Sequence, residues 1–402
     1  MLDLVKLKNL KYRAWLSNKN AVTWLDFKRA KQESKRVQKL KKQQYITENV
    51  KQARSSKDLW RTTKTTLGWN KVSNIKQVEV DGNLVANKQE IADNFNNFFI
   101  EKIKKINENI PETNQDPLQY TRDTVNKFNN KIPEMNFTRV HLKKIRKTIG
   151  ALRNTTSTSH DDICTMAIKK LSWHVAPFLK RIIILSFETQ KFPSLWKMAR
   201  IVPIFKGKGG QTKLTSYRPV ALLPSLSKVL ESVMVEQLYA HFERNIPVAA
   251  RRTLTLLSQR QHGYRSHMSC ATNLLQLIDD ILKDAEDGHE SALLMCDLSS
   301  AFDTVNHSLL VEKLKLYGLS ENAIKFIQCY LRGRSQFCDI NGAKSSTRDI
   351  DVGVFQGSVA GPLLFIIFFN DIMELEDGDT LISGYADDNN YKLKLDKDKL
   401  KN

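Results

Sequence analysis

Apolar residues recur at helical spacing from the first positions of the chain: Leu4, Leu7 and Leu10, then Trp15, Trp24, Leu25 and Phe27, followed by Lys/Gln-rich stretches. This period predicts a helical arm over 1–70. Over 78–86 the pattern changes to alternation around Asp81-Gly82, which predicts a small β-hairpin. Asn87 with Glu90 is placed to cap a helix carrying Phe95, Phe98 and Phe99. Residues 111–136, with Pro111, Pro117, Pro133 and many Asn, Thr and Asp, read as a linker. Thr138 is placed to open the next helix, and 154–160 is a polar loop. A further helix is expected from about Cys164 to Gln190, with Leu171, Val175, Phe178, Ile182 and Leu185 along one side.

From Phe192 onward, short apolar runs alternate with helical patterns, the texture of an α+β architecture. Strands are expected over 199–205 and 219–223, flanking a basic glycine-containing loop, and a helix over 224–242. Residues 293–297 read as a buried strand, with helices from about Asn306. Residues 336–340 read as a hairpin arm turning at Asn341-Gly342. A largely apolar helix is expected over 356–373, and a hairpin over 380–394 around Asp387-Asp388. The expected organisation is a basic helical arm (1–70), a hairpin-and-helix segment with linker (71–136), a helical stretch (137–190) and an α+β region (191–402).

Charge changes this picture most. Lys and Arg number 63 against 43 acids, a formal +20, which points to a polyanionic partner. Residues 1–70 alone hold 13 Lys and 5 Arg against 5 acids, +13 of that total. Basic residues with interleaved Trp suit phosphates and exposed bases, so the arm reads as a nucleic-acid surface as well as a solvated helix. Hydrophobic residues at 41% and charged residues at 26% are ordinary for a globular chain. The longest apolar stretch, 362–369, is far short of the roughly 20 residues that span a bilayer. The N-terminus lacks a secretory apolar core. The chain is therefore expected to be neither secreted nor in a membrane. The 5 Cys are odd in number and form no C-x-x-C pair, so reduced thiols are expected. His262, His267 and Cys270 lie close in sequence but lack a fourth ligand, and ordinary packing outweighs a zinc site there.

Candidate chemistry sits at two strand ends. Asp297 closes the run Ala292-Leu-Leu-Met-Cys-Asp, and Asp387-Asp388 close Leu381-Ile-Ser-Gly-Tyr-Ala-Asp-Asp. A carboxylate at a buried strand end needs a partner or a metal. If the strands are neighbours, three carboxylates repel, and divalent cations relieve the repulsion. Two Mg²⁺ roughly 3.5–4 Å apart can activate a hydroxyl and neutralise a leaving pyrophosphate. Hard oxygen donors with positions left for water and phosphate are what Mg²⁺ prefers.

Six blocks, in one order, resemble the reverse transcriptases of non-LTR (LINE-type, jockey-like) retrotransposons. They are 196–208 with 216–224 (Ser-Tyr-Arg-Pro), Gln261-His-Gly-Tyr-Arg265, Asp297-Leu-Ser-Ser-Ala-Phe-Asp, Gly353-Val-Phe-Gln-Gly-Ser and Tyr385-Ala-Asp-Asp388. The resemblance covers roughly 160–391 and implies a right-hand polymerase fold, with fingers and a palm behind the basic helical region. It implies that Asp297, Asp387 and Asp388 are catalytic and hold two Mg²⁺, with Mn²⁺ as an alternative, and that Leu298 offers only its backbone carbonyl. It places Lys206 and Arg218 on the triphosphate, with Lys208 and Lys213 as competitors for the lysine's role. It places Gln356 and Gly357 by the incoming nucleotide and Phe302 where a ring rejects a ribose 2′-hydroxyl, against the plainer reading of Phe302 as core. Asp303 and His307 read as structural hydrogen-bonding groups.

The implied activity is RNA-directed DNA polymerisation, target-primed, with an RNA template, a DNA primer and dNTPs as partners. A nuclear and cytoplasmic ribonucleoprotein is the implied location. The alternative is a catalytically inactive nucleic-acid-binding remnant. Phe355 stands where the family has proline, Ala360 where it has leucine and Asn389 where threonine is commoner. Proline would fix the entry to the helix, so Phe355 is expected to loosen Gln356. Residues 247–260 look longer than the usual connection. The family continues into more palm and a thumb beyond Asp388, so an incomplete palm without a thumb is expected.

Overall fold

The computed structural model describes residues 2–52, 75–111, 113–249, 252–375 and 379–395. It divides into two compact units, Met1–Asn74 and Ile75–Asn402. In the first, helices α1 (Leu2–Ser17) and α2 (Ala21–Gln52) pack through aromatic rings. Trp15 meets Trp24 at 4.9 Å between centroids and Tyr12 meets Phe27 at 5.0 Å. Lys11 and Asp26 pair at 2.7 Å beside them. Leu7, Leu10 and Leu25 of the expected stripe stay exposed. Residues 53–70 of the expected arm lie outside the described residues.

The second unit has two main sheets. In the first, β3 (Met198–Phe205) pairs antiparallel with β4 (Tyr217–Leu222) and parallel with β8 (Arg334–Ile340). β9 (Ala343–Lys344) and β10 (Arg348–Ile350) flank β8. Asn341 and Gly342 both take positive φ (53° and 89°), as a two-residue hairpin requires. The hairpin β1 (Val78–Val80) and β2 (Asn83–Val85) leads into helix α3 (Lys88–Glu108). The Asn87 side chain caps α3 by accepting from the Gln89 and Glu90 amides at 2.9 and 3.3 Å. Ile91, Phe95 and Phe99 of α3 pack with Ala199, Ile201, Ala221 and Cys338 of the sheet. The second sheet is wholly antiparallel, in the order β11 (Thr380–Tyr385), β12 (Asp388–Leu395), β7 (Glu290–Asp297).

A larger core is built mainly from helices. It draws on α7 (Ser172–Thr189), α8 (Ser227–Phe242), α10 (His307–Leu316), α11 (Glu321–Leu331) and α12 (Gly361–Phe368). Several expectations are corrected here. The stretch read as a linker contains helix α4 (Gln119–Asn126), tied down where Thr121 donates to the buried Asp371 at 2.8 Å. Thr138 opens no helix, because Gln237 accepts from its amide and hydroxyl; α5 (Leu142–Ala151) starts later. The helix expected to Gln190 breaks at Leu171 into α6 (Thr165–Lys170) and α7. Its buried residues are Ala176, Leu179, Ile183 and Phe187, whereas Leu171, Phe178, Ile182 and Leu185 are exposed. That helix is apolar on more than one side, and Phe187 chooses the side by stacking on Phe137 at 4.9 Å and meeting Phe326 at 5.1 Å.

The strand 293–297 is not buried: β7 is a sheet edge, with Leu294 62% and Met295 74% exposed. The apolar helix expected from Gln356 begins only at Gly361, and a 3₁₀ segment, Asn370–Leu375, follows it. The longer connection at 247–260 includes most of a small hairpin, β5 (Ile246–Ala249) and β6 (Arg252–Leu254).

Candidate active site

Strand pairing sets the geometry. β12 lies between β11 and β7, and Asp388 stands directly opposite Asp297 in the ladder. Tyr385 pairs with Asp388, so the tight turn is Ala386-Asp387 and Asp388 is already strand. Acidic residues about ninety positions apart therefore meet at one sheet end. Burial first, then the charges of Asp388 and Asp297, push the Asp387 carboxyl above the usual range, while Arg218 pulls it down.

The carboxylates Asp297 and Asp387 line a cavity of about 640 Å³. Lys206, Lys208, Arg218, Phe302, Gln356 and Gly357 line the same cavity. Asp388 does not. Lys206 donates to the Thr215 carbonyl at 2.7 Å. Its pKa is lowered by burial and then by the charges of Lys102, Arg218 and Lys208, a cationic group with unspent charge. Phe302 stacks on Phe365 at 4.5 Å and meets the edge of Tyr264 at 5.8 Å, so it belongs to both core and cavity wall.

Gln356 is anchored at both ends despite Phe355. Its carbonyl accepts from the Ala221 amide at 3.0 Å, and its side-chain amide donates to Asp303 at 3.2 Å. Phe355 packs beside the sheet core instead of loosening it. Gly357 has φ 125° and its Cβ would stand 2.4 Å from the Ala221 carbonyl oxygen, so only glycine fits. Asp303 is half-buried, and desolvation pushes its carboxyl up to about 6. A His307 ring nitrogen lies 2.7 Å from the Gly353 carbonyl oxygen, a structural contact. Asn389 donates to the Asp387 carbonyl at 3.1 Å. His262 is committed to Thr272 and Gln276, both at 2.8 Å.

Among the described residues, no three His, Cys, Asp or Glu side chains converge as a metal-ligand group. Three carboxylates line the cavity; Gln356 donates to Asp303, which leaves Asp297 and Asp387, whose charges repel, as the donor set. Hard oxygens on few side chains, with the remaining positions open, fit Mg²⁺ better than a softer ion. Two contributors escaped sequence reasoning. Lys102 and Phe98 reach this cavity from α3, and Lys102 donates to Ser300 at 2.7 Å. No motif marks them, since Lys102 is one of many lysines on that helix. Gln261 and Gly263, by contrast, lie in a block already singled out but without a role.

Residues 206–401 match the family model described as "Reverse transcriptase (RNA-dependent DNA polymerase)". The chain is 28% identical over 255 residues to the RNA-directed DNA polymerase from mobile element jockey of Drosophila melanogaster, covering 62% of this chain and 27% of that protein. It is 30% identical over 261 residues to the probable RNA-directed DNA polymerase from transposon BS of Drosophila melanogaster, covering 62% of this chain and 27% of that protein. For the probable polymerase from transposon X-element, also of Drosophila melanogaster, the values are 26% over 275 residues, 67% and 29%. The chain thus spans little more than a quarter of the length of these relatives. With Asp387 on a hairpin turn and Asp388 opposite Asp297 on the neighbouring strand, residues 206–401 are similar to the reverse transcriptases, and the relatives matched over a wider stretch are RNA-directed DNA polymerases of mobile elements.

Proposed function

We propose that this chain is the polymerase part of a non-LTR retrotransposon reverse transcriptase, adding dNTPs to a primer 3′-hydroxyl on an RNA template during target-primed synthesis. The observation that carries the reading is the shared cavity: the carboxylates of Asp297, at the end of β7, and Asp387, on the β11–β12 turn, open where Lys206, Arg218 and Phe302 also face. In this reading the sheet of β3 and β4 with the loop 206–216 acts as fingers, and the acidic three-stranded sheet as the palm of a right-hand polymerase.

Asp297 and Asp387 would hold Mg²⁺, or Mn²⁺ in its place, with Asp388 contributing through its adjacent charge. Bound there, two such ions supply an acidified primer hydroxyl and neutralise the leaving pyrophosphate. The chain's own residues do the rest. Arg218 offers a bidentate fork to the triphosphate and Lys206 a point charge, with Lys102 and Lys208 adding to the field. Phe302, held by Phe365, leaves no room beneath the sugar for a 2′-hydroxyl. Gln356 and Gly357 line the place of the incoming base. The basic first unit tracks nucleic-acid backbone. A nuclear and cytoplasmic ribonucleoprotein is part of the same proposal; no helix among the described residues is long and apolar enough to cross a membrane.

The test is Mg²⁺-dependent incorporation of dNTPs on a primed RNA. Asp387→Asn is expected to lower it by about a thousandfold or more, since the site's charge stabilisation is lost. Equal incorporation by the variant would overturn the reading. Salt-sensitive RNA binding without incorporation by the unaltered chain would establish the inactive remnant instead.

A further inference from the structure

The block 261–265 has no task in the chemistry above, yet it is built tightly against the turn that bears Asp387. Gln261 is 1% exposed. Its Oε1 accepts from the Gly263 amide at 2.8 Å and from the Ala386 amide at 3.0 Å. Its Nε2 donates back to the Ala386 carbonyl at 3.4 Å. On either side the backbone joins in. The Gly384 amide donates to the Arg260 carbonyl at 2.9 Å, and the His262 amide to the Gly384 carbonyl at 2.8 Å. At Gly263 a Cβ would lie 2.2 Å from the Ala386 nitrogen, so the two backbones touch. Arg265 holds the block from behind, with a fork onto Glu243 at 2.6 and 2.7 Å and a bond to the Gln261 carbonyl at 3.1 Å.

The turn needs such support. Ala386 sits at φ 63°, a strained conformation for a residue with a Cβ, which persists only where its surroundings over-determine it. Ala386 is also 4% exposed, so its amide proton needs a protein acceptor, and Gln261 is that acceptor.

We propose that Gln261 is a positioning residue: its buried side-chain amide locks the Ala386-Asp387 turn in the left-handed conformation that presents the Asp387 carboxylate to the cavity shared with Asp297. The inference rests on the metal-dependent polymerase reading, and the experiment separates the two. Mn²⁺ binding to the full chain is followed by electron paramagnetic resonance, alongside hydrogen exchange of the segment 384–388 and thermal melting. Gln261→Met keeps the volume and removes the acceptor. It is expected to weaken Mn²⁺ about tenfold or more and to speed exchange at 384–388. In the incorporation assay the metal concentration for half-maximal rate should rise more than the saturated rate falls. Gln261→Glu, which still accepts from both amides, is expected to restore the protection. If the Met variant does not fold, Gln261→Asn, one methylene short of both amides, takes its place with the same expectation.

Mn²⁺ affinity and exchange in the Met or Asn variant equal to those of the unaltered chain would overturn the role of Gln261. If the unaltered chain and Asp387→Asn bind Mn²⁺ equally, the polymerase reading falls. Exchange then decides the lock alone, upheld by faster exchange in the variant and refuted by unchanged exchange.

Discussion

Asp303 is the residue whose ionisation the fold changes most plainly among the cavity-lining carboxylates. Burial pushes its carboxyl up to about 6, with Lys102 opposing, and Gln356 donates to it. A carboxyl raised above its unfolded value of 3.8 holds its proton more tightly when folded. Its contribution is therefore favourable at low pH and is lost as pH rises through about 6. Asp303→Asn keeps an acceptor for Gln356 and removes the titration. Urea denaturation should find the two proteins equally stable near pH 4, with the variant more stable by about 2 kcal/mol at pH 7.5. A difference that does not vary with pH would show that Asp303 is not desolvated in the fold. The same residue explains a glycine: at Gly353 a Cβ would stand 2.4 Å from the Asp303 carbonyl oxygen.

Between elements, a buried carboxylate on α8 decides where α12 starts. Glu231 is 0% exposed; one of its oxygens accepts from the Ser227 hydroxyl at 2.6 Å. The other accepts from the Val359 and Ala360 amides at 2.7 and 3.3 Å. This is an N-terminal cap delivered from another helix, and negative charge there also suits the helix dipole. It accounts for 356–360 remaining non-helical although the run is apolar enough to be read as helix, and it leaves Gln356 free to turn back to Ala221 and Asp303. Glu231→Ala strands two amides and a hydroxyl, at a cost of roughly 2–4 kcal/mol. The expected sign is a lower denaturant midpoint with an unchanged slope; a shift under 0.5 kcal/mol, about the effect of a neutral surface change, would mean that Glu231 does not set the start of the helix.

For the whole molecule, charge and compactness separate in the chain. Residues 1–70 carry +13 of the +20, and they fall within the first of the two compact units. Removing 1–74 should leave the second unit folded and flatten the dependence of RNA affinity on salt, because each lost phosphate contact lowers the slope by about 0.7 for a single strand. Fluorescence anisotropy across a salt series reads this directly. A slope equal to that of the whole chain would place the RNA surface on the second unit alone.

Local chemistry was legible without coordinates. The Asp81-Gly82 and Asn341-Gly342 turns, the Asn87 cap and the hairpin bearing Asp387 all follow from near neighbours in the chain, where periodicity and turn preference act. Chain order also supplied the resemblance to reverse transcriptases, since blocks in a fixed succession need no folding to be recognised. The tertiary structure alone decided which side of α7 faces inward, that β7 is an exposed edge, and that Lys102 reaches the cavity. It alone joined Gln261 to Ala386, and it set Asp388 opposite Asp297, a meeting that the resemblance had already implied. Those outcomes depend on contacts between distant residues, and an apolar stripe or a polar side chain carries no record of which partner it meets.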